Sequence, residues 1–265
     1  MIKIFRNIRK KLAAENKVAS YLRYAVGEVV LVVVGILIAL QINTWNENRK
    51  ERAIEIKYLK NLQHELKQDS IDIVRYKAIR LGILNAAQEL LNNAKLHQID
   101  DVYKLDSLYI SVAIWYEFVP NNNTFEELIS SGNLQLLKND SIKNLLLDLN
   151  QKNEQLVSDR EHMRREYKNY LYDERVKQIN FLDVNDPSKV KTVLDWFYPR
   201  AEIVAENKIK LQRNFKRLFN NTTFLNGLAL AAGNNLWIVE EEYNRMLNDI
   251  NKLVELIELD LKSDE

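Results

Sequence analysis

Between Val29 and Leu40 every residue is apolar or glycine, and the run widens to Ala25–Ile42 with only Glu28 and Gln41 as polar interruptions. A helix over 25–42 would be about 27 Å long, which matches a thin bilayer core. A core helix of a water-soluble protein needs one apolar stripe, whereas this run is apolar all round. A cleaved export signal fits poorly: the run ends Leu40-Gln41-Ile42-Asn43 with no small-x-small site, and the basic stretch before it is long. Tyr24 and Trp45 stand at the two edges, where amphipathic rings prefer the headgroup layer. The pattern predicts one transmembrane helix, residues 25–45, with a buried or interfacial helix as its rival.

After Trp45 the pattern becomes a stripe. Leu59, Leu62, Leu66, Ile73, Tyr76, Ile79, Ile83, Ala87, Leu90 and Ala94 recur at three-four spacing, which predicts a helix from about Asn46 to Lys95, continuous with the anchor. A second helical region is expected over Asp101–Phe118, ending before Pro120. Thr124 and Glu127 have the spacing of a capping box, opening a short helix that stops at Gly132. A long helix then opens near Asn139–Asp140 and runs over roughly Ser141–Ile179. There Ile142, Leu149, Leu156, Met163 and Tyr170 fall seven apart, while Leu145, Lys152, Asp159 and Glu166 turn polar after the first. A sustained two-stranded coiled coil needs both sets apolar, so this reads as one bundle helix. Phe181–Pro199 is irregular, and a further helix is expected over Arg200–Phe219. The last helix, from about Leu236, has the cleanest period (Val239, Tyr243, Met246, Ile250, Leu253, Ile257) and frays at its Lys-Ser-Asp-Glu end. The stretches 121–137 and 220–239 share Asn residues, Thr-Phe and a later Gly-Asn, which raises an approximate duplication of one helical hairpin.

With three prolines and six glycines in 265 residues, the expected fold is all-α: a single transmembrane helix continuing into an elongated antiparallel helical bundle. The expected segments are a basic amphipathic tail over 1–24, the transmembrane helix over 25–45 and the helical bundle over 46–265.

Charge sharpens the membrane reading. The net charge of +1 hides a tail in which Lys3, Arg6, Arg9, Lys10, Lys11, Lys17 and Arg23 face only Glu15. The rest is mildly acidic, which makes a poor nucleic-acid binder. Close to the span the bases tie, Lys10, Lys11, Lys17 and Arg23 against Arg49, Lys50, Arg52 and Lys57, but Glu47, Glu51 and Glu55 neutralise the second set. The cost of moving the tail outward favours a cytoplasmic N-terminus. Ile4, Phe5, Ile8 and Leu12 lie at helical spacing among the bases, as in a segment resting on an anionic leaflet. Within the span, Gly27, Gly35 and Ala39 form a small-residue face suited to helix packing, and self-association through it is expected. Glu28 beside it either snorkels to water or marks a pairing position.

The run "ENKVASYLRYAVGEVVLVVVGILIALQINTWNENRKE" is similar to the N-terminal hallmark of an uncharacterised family in Bacteroidota-type Gram-negative bacteria, classed as a domain of unknown function. The later "TFEELISSGNLQLLKND" (124–140) resembles a recurring stretch of the same family. The resemblance implies one inner-membrane span with a helical periplasmic domain, and it brings no catalytic residues. It also makes the three Asp-Ser-apolar triplets candidate O-glycosylation sites, at Ser70, Ser107 and Ser141, although Asp and Ser are equally helix-capping residues.

Chemistry is sparse in the pattern. His64-Glu65 lacks a histidine at position 68, no Glu-x-x-His pair occurs, and His97 and His162 sit in polar stretches, so no metal or cofactor is expected. There is no Gly-x-Ser-x-Gly elbow, phosphate-cradling loop or dinucleotide fingerprint. The carboxylates alternate with Lys and Arg, as on a solvated salt-bridged face. With no cysteine, disulfides are excluded. Trp115 and Tyr116, with Trp196 and Phe197, are the candidates for a partner or small-molecule surface, against the plainer reading of core plugs at helix ends. The expected role is an anchored scaffold or accessory protein working through a protein partner or its own oligomer. A ligand-sensing bundle and an envelope enzyme with an unrecognised site are the alternatives.

Overall fold

The computed structural model describes residues 18–179, 188, 191–192 and 208–263, and these are mostly helical with no strand among them. The expected tail helix over 4–12, the irregular 181–199 segment and the first part of the Arg200–Phe219 helix lie largely or wholly outside the described residues. Helix α1 is unbroken from Val18 to Leu96. It is followed by α2 (Val102–Ala113), α3 (Asn123–Ser130), a short 3-10 turn (Asn133–Leu136) and α4 (Asp140–Tyr167). A π-helical turn (Lys168–Tyr172) joins α4 to α5 (Asp173–Gln178). Then come α6 (Lys208–Leu218), α7 (Thr222–Trp237), a second π turn (Ile238–Tyr243) and α8 (Asn244–Lys262). By packing the chain divides into Met1–Tyr58 and Leu59–Glu265.

In the first unit α1 presents apolar side chains on every side. Leu31 is 69 % exposed and Val34, the least exposed of the large ones from Val29 to Ile42, is 46 %. This is the one helix among the described residues long and apolar enough to cross a membrane. Just past the run, the Arg49 guanidinium stands 5.5 Å over the Trp45 ring, and Asn43 donates to Glu47 at 3.0 Å. Gly27 and Gly35 have open space where a side chain would be, and Ala39 is exposed.

In the second unit α7–α8 packs antiparallel to both α1 and α4–α5. Along α1, Gln63 and Lys67 reach Glu258, Lys77 reaches Asn244, and Arg80 reaches Asn235. Along α4, Asn139 reaches Asp260, Lys152 reaches Asp249, and Glu166 accepts from Asn234. The numbers rise on one helix as they fall on the other, so α7–α8 runs against both. The predicted α1 stripe is buried except for Tyr76 and Ile79, which are half-buried, and all six periodic positions of the last helix are buried. Burial of each such large side chain stabilises by about 1.5–3 kcal/mol.

The structure corrects several expected boundaries. Helix α2 ends at Ala113, not Phe118, and 114–120 is a non-helical strap. The last helix begins at Thr222, and α7, the second π turn and α8 run on without a break. The two echoing stretches part after their Asn caps: Gly132 sits at φ +72° and ends α3, whereas Gly233 lies inside α7. On α4 the buried companions of Ile142, Leu149 and Leu156 are Leu146, Asn153 and Arg160, four residues on rather than three.

The capping box also fails. The first turn of α3 is capped from another helix: Glu65 accepts from the Thr124 amide and from its hydroxyl (2.7 Å), and Asp69 accepts from the Asn121 amide with both oxygens at 3.0 and 3.1 Å. Glu65 and Asp69 are one turn apart on α1, so both carboxylates reach the positive end of α3. Thr124 is thereby buried, and Asn122 at the N-cap makes no capping bond with its side chain.

Among the glycines, Gly227 on α7 makes the tightest approach to another element. A Cβ at Gly227 would lie 2.7 Å from Tyr170 Cβ and 3.1 Å from the Tyr170 carbonyl, so α7 touches the first π turn where only glycine fits. Gly227→Ala is expected to lower the unfolding free energy by about 1–3 kcal/mol in urea titrations followed by circular dichroism. Burial, with Asp72 and Glu65 nearby, raises Asp69 to about 6 despite the Asn121 amide. A raised acid is protonated in the folded chain before the unfolded one, so its charge costs stability above about pH 6 and that cost disappears as pH falls toward 4. Relative to Asp69→Asn, the native chain should therefore gain on the order of 1 kcal/mol between pH 7 and pH 4, read from paired urea titrations.

Candidate functional site

Residues 114–120, Ile-Trp-Tyr-Glu-Phe-Val-Pro, cross the bundle without helical hydrogen bonding. Pro120 cannot donate and disfavours helical backbone in the residue before it, which accounts for a strap here rather than a longer α2. A strap inside a helical body leaves carbonyls that water cannot reach. Two arginines from different helices satisfy them. Arg80 of α1, 2 % exposed, donates to the Tyr116 carbonyl and, at 3.1 Å, to Asn235 of α7. Arg160 of α4, 3 % exposed, donates to the Phe118 carbonyl and, from Nε, to the Leu156 carbonyl at 3.1 Å. Asn153, two turns before Arg160, reaches Asn122 beyond the strap's end.

The aromatic side chains of the strap complete the packing. The Arg80 guanidinium stands 4.9 Å from the Trp115 ring centre, and Trp115 also meets Tyr167 at 5.7 Å. Phe118, 1 % exposed, is held edge-on between Tyr76 (6.0 Å) and Tyr243 (6.2 Å). Negative charge balances the two guanidiniums from Glu117, 3.5 Å from Arg160, and from Glu242, which feels both arginines. Burial still holds the Glu242 carboxyl above its ordinary range, and it pushes the Tyr243 phenol up against the opposing pull of Arg80.

A further ion pair, buried on both sides, joins α2 to α5. Asp106 of α2 and Arg175 of α5 meet at 2.8 Å with both side chains at or below 7 % exposure. Arg175 also stands 4.9 Å over the Tyr109 ring, whose hydroxyl donates to the Leu171 carbonyl in the first π turn at 2.8 Å.

Of the residues singled out from sequence, Trp115 and Tyr116 come together in the strap, half-buried, as packing groups around Arg80. Trp196 and Phe197 lie outside the described residues. Ser107 and Ser141 are exposed and Ser70 half-buried, each in a helical turn; the Asp106 that precedes Ser107 is committed to Arg175. Glu28 is half-buried beside Gly27 on α1. His64, His97 and His162 are exposed. Sequence reasoning passed over Arg80, Arg160 and Asn153, because buried arginines and asparagines look like surface residues in a charged helix. The available signal was spacing: Asn153 and Arg160 continue the Ile142–Leu146–Leu149 stripe, and Arg80 stands two turns after Ile73.

Arg160→Lys keeps the charge but cannot bond two carbonyls in the fixed fork of a guanidinium. It is expected to cost about 1–3 kcal/mol, and Arg160→Met more, with the Glu117 carboxylate and the Phe118 carbonyl left without that partner. Urea unfolding monitored at 222 nm checks the order.

No curated protein and no solved structure matches this sequence significantly. A family model described as a family of unknown function, DUF6090, matches residues 28–189, from the apolar run through the strap and both of its arginine-bearing helices. That span is more than half of the chain, and the protein belongs to this family.

Proposed function

We propose that this protein is a single-pass scaffold of the bacterial envelope that works by holding a protein partner or a second copy of itself. In this reading the tail over 1–24 is cytoplasmic, 25–45 spans the inner membrane, and the helical body over 46–265 is periplasmic. The observation that carries it is the apolar run of α1, whose side chains are exposed on all faces of a helix that continues unbroken to Leu96. Water makes such a surface unfavourable, and lipid accepts it. The asymmetry between the basic tail and the nearly neutral flank after Asn46 supports the orientation.

The partner-facing role draws support from the outer side of the strap. There Val119 is 74 % and Val157 50 % exposed, on an open groove of about 390 Å³ lined also by Pro120, Asn121, Asn123 and Asn150. Exposed apolar tips among amide and carboxylate side chains, Glu117, Glu126 and Glu154 among them, suit a protein surface better than a buried reaction centre.

Two measurements test the reading. The chain has no cysteine, so Lys10→Cys and Lys152→Cys report sidedness: a membrane-impermeant maleimide should label position 152 in intact spheroplasts and position 10 only after lysis. The reverse pattern, or full-length protein in the soluble fraction without detergent, overturns the topology. In gentle detergent, the tagged chain should retain a stoichiometric partner or a second copy, and Val119→Asp with Val157→Asp should release it; isolation as a bare monomer overturns the scaffold role.

A further inference from the structure

The strap uses only half of its own backbone. Extended chain alternates its hydrogen-bonding groups and its side chains from one residue to the next. The two carbonyls that the arginines take, on Tyr116 and Phe118, stand two residues apart and belong to one set. Glu117 and Val119 carry the other set, and their amides and carbonyls have no hydrogen-bond partner among the described residues. The side chains alternate in step: Phe118 is 1 % exposed and Val119 is 74 % exposed. An extended backbone with open amides and carbonyls is a template on which another extended segment can pair.

The groove of about 390 Å³ runs beside these residues. Glu117, Val119 and Pro120 line it from the strap, and Asn150, Glu154 and Val157 line it from α4. Its exposed charge is of one sign. Glu126 and Glu154 are exposed and pair with no base among the described residues, Glu154 accepting only from Asn150. The one base in the lining, Arg160, is 3 % exposed and gives its N–H groups to the Phe118 and Leu156 carbonyls. A surface of this charge draws a basic partner and repels an acidic one.

We propose that the groove takes an extended basic segment of a partner protein, which adds to the strap by main-chain hydrogen bonds at Glu117 and Val119. Lysine or arginine side chains of the segment meet Glu126 and Glu154, and its apolar side chains cover Val119 and Val157. A helical segment is the poorer occupant, because a helix satisfies its own backbone and gains nothing from the open groups of the strap. This occupant is the partner of the scaffold reading above, given a chemistry, and it rests on that reading.

Fluorescence anisotropy of labelled peptides on the full chain in dodecyl maltoside, with micelles alone subtracted, tests it. The probe is acetyl-Lys-Val-Lys-Val-Lys-Val-amide. Its two counterparts are the same peptide N-methylated at every residue, which keeps the charge and cannot donate from its backbone, and acetyl-Glu-Val-Glu-Val-Glu-Val-amide. The basic peptide should saturate with a Kd of about 100 μM or tighter, and both counterparts should bind at least about tenfold more weakly. Glu126→Lys together with Glu154→Lys should weaken the basic peptide about tenfold, and added salt should weaken it on the native chain. Circular dichroism reports whether the double variant is folded; should it unfold, the three-peptide series on the native chain still decides. Failure of the basic peptide to saturate, equal affinity for the methylated peptide, or unchanged affinity in the folded double variant overturns the proposal. A partner or second copy that still co-purifies in detergent after such a result leaves the scaffold reading standing and removes its extended basic occupant alone.

Discussion

The body of this protein depends on how it handles an extended segment inside a helical bundle. Helices satisfy their own backbone groups, and a strap does not. Each carbonyl that points inward from 114–120 must find a donor or be left unsatisfied at a cost of about 1–3 kcal/mol. Arg80 and Arg160 provide those donors from α1 and α4, so one interaction set joins three parts of the chain. The choice of arginine comes from geometry, since a guanidinium offers several fixed donors and stacks on Trp115 while doing so.

The same logic extends to the α3 cap and to the first π turn. The α3 start takes its acceptors from Glu65 and Asp69 on α1 rather than from its own first turn. The Leu171 carbonyl, in the first π turn, takes its donor from Tyr109. In each case a locally irregular backbone is held by a side chain far away in sequence. Those side chains are buried or half-buried, and each ties two elements into one position.

Trp115 and Tyr116, the most suggestive aromatic residues in sequence, are occupied in holding Arg80 and the strap. Trp237 is half exposed, and its indole N–H donates to Glu242, whose charge faces Arg80 and Arg160. The second π turn sets this contact, bringing together two residues five apart in the chain.

Periodicity alone determined the apolar run, the α1 stripe and the six buried positions from Val239 to Ile257, because a helix repeats its buried face every three to four residues whatever it packs against. Pro120 and Gly132 likewise announced two interruptions, since each restricts or frees the backbone locally. Only the tertiary structure decided that Asn153 and Arg160 belong to the buried stripe, that Thr124 is capped by Glu65, and that Gly233, unlike Gly132, does not end a helix. Those outcomes depend on which distant group meets a polar atom in the folded chain. Sequence spacing records faces, whereas the partner across the interface is fixed only when the helices pack.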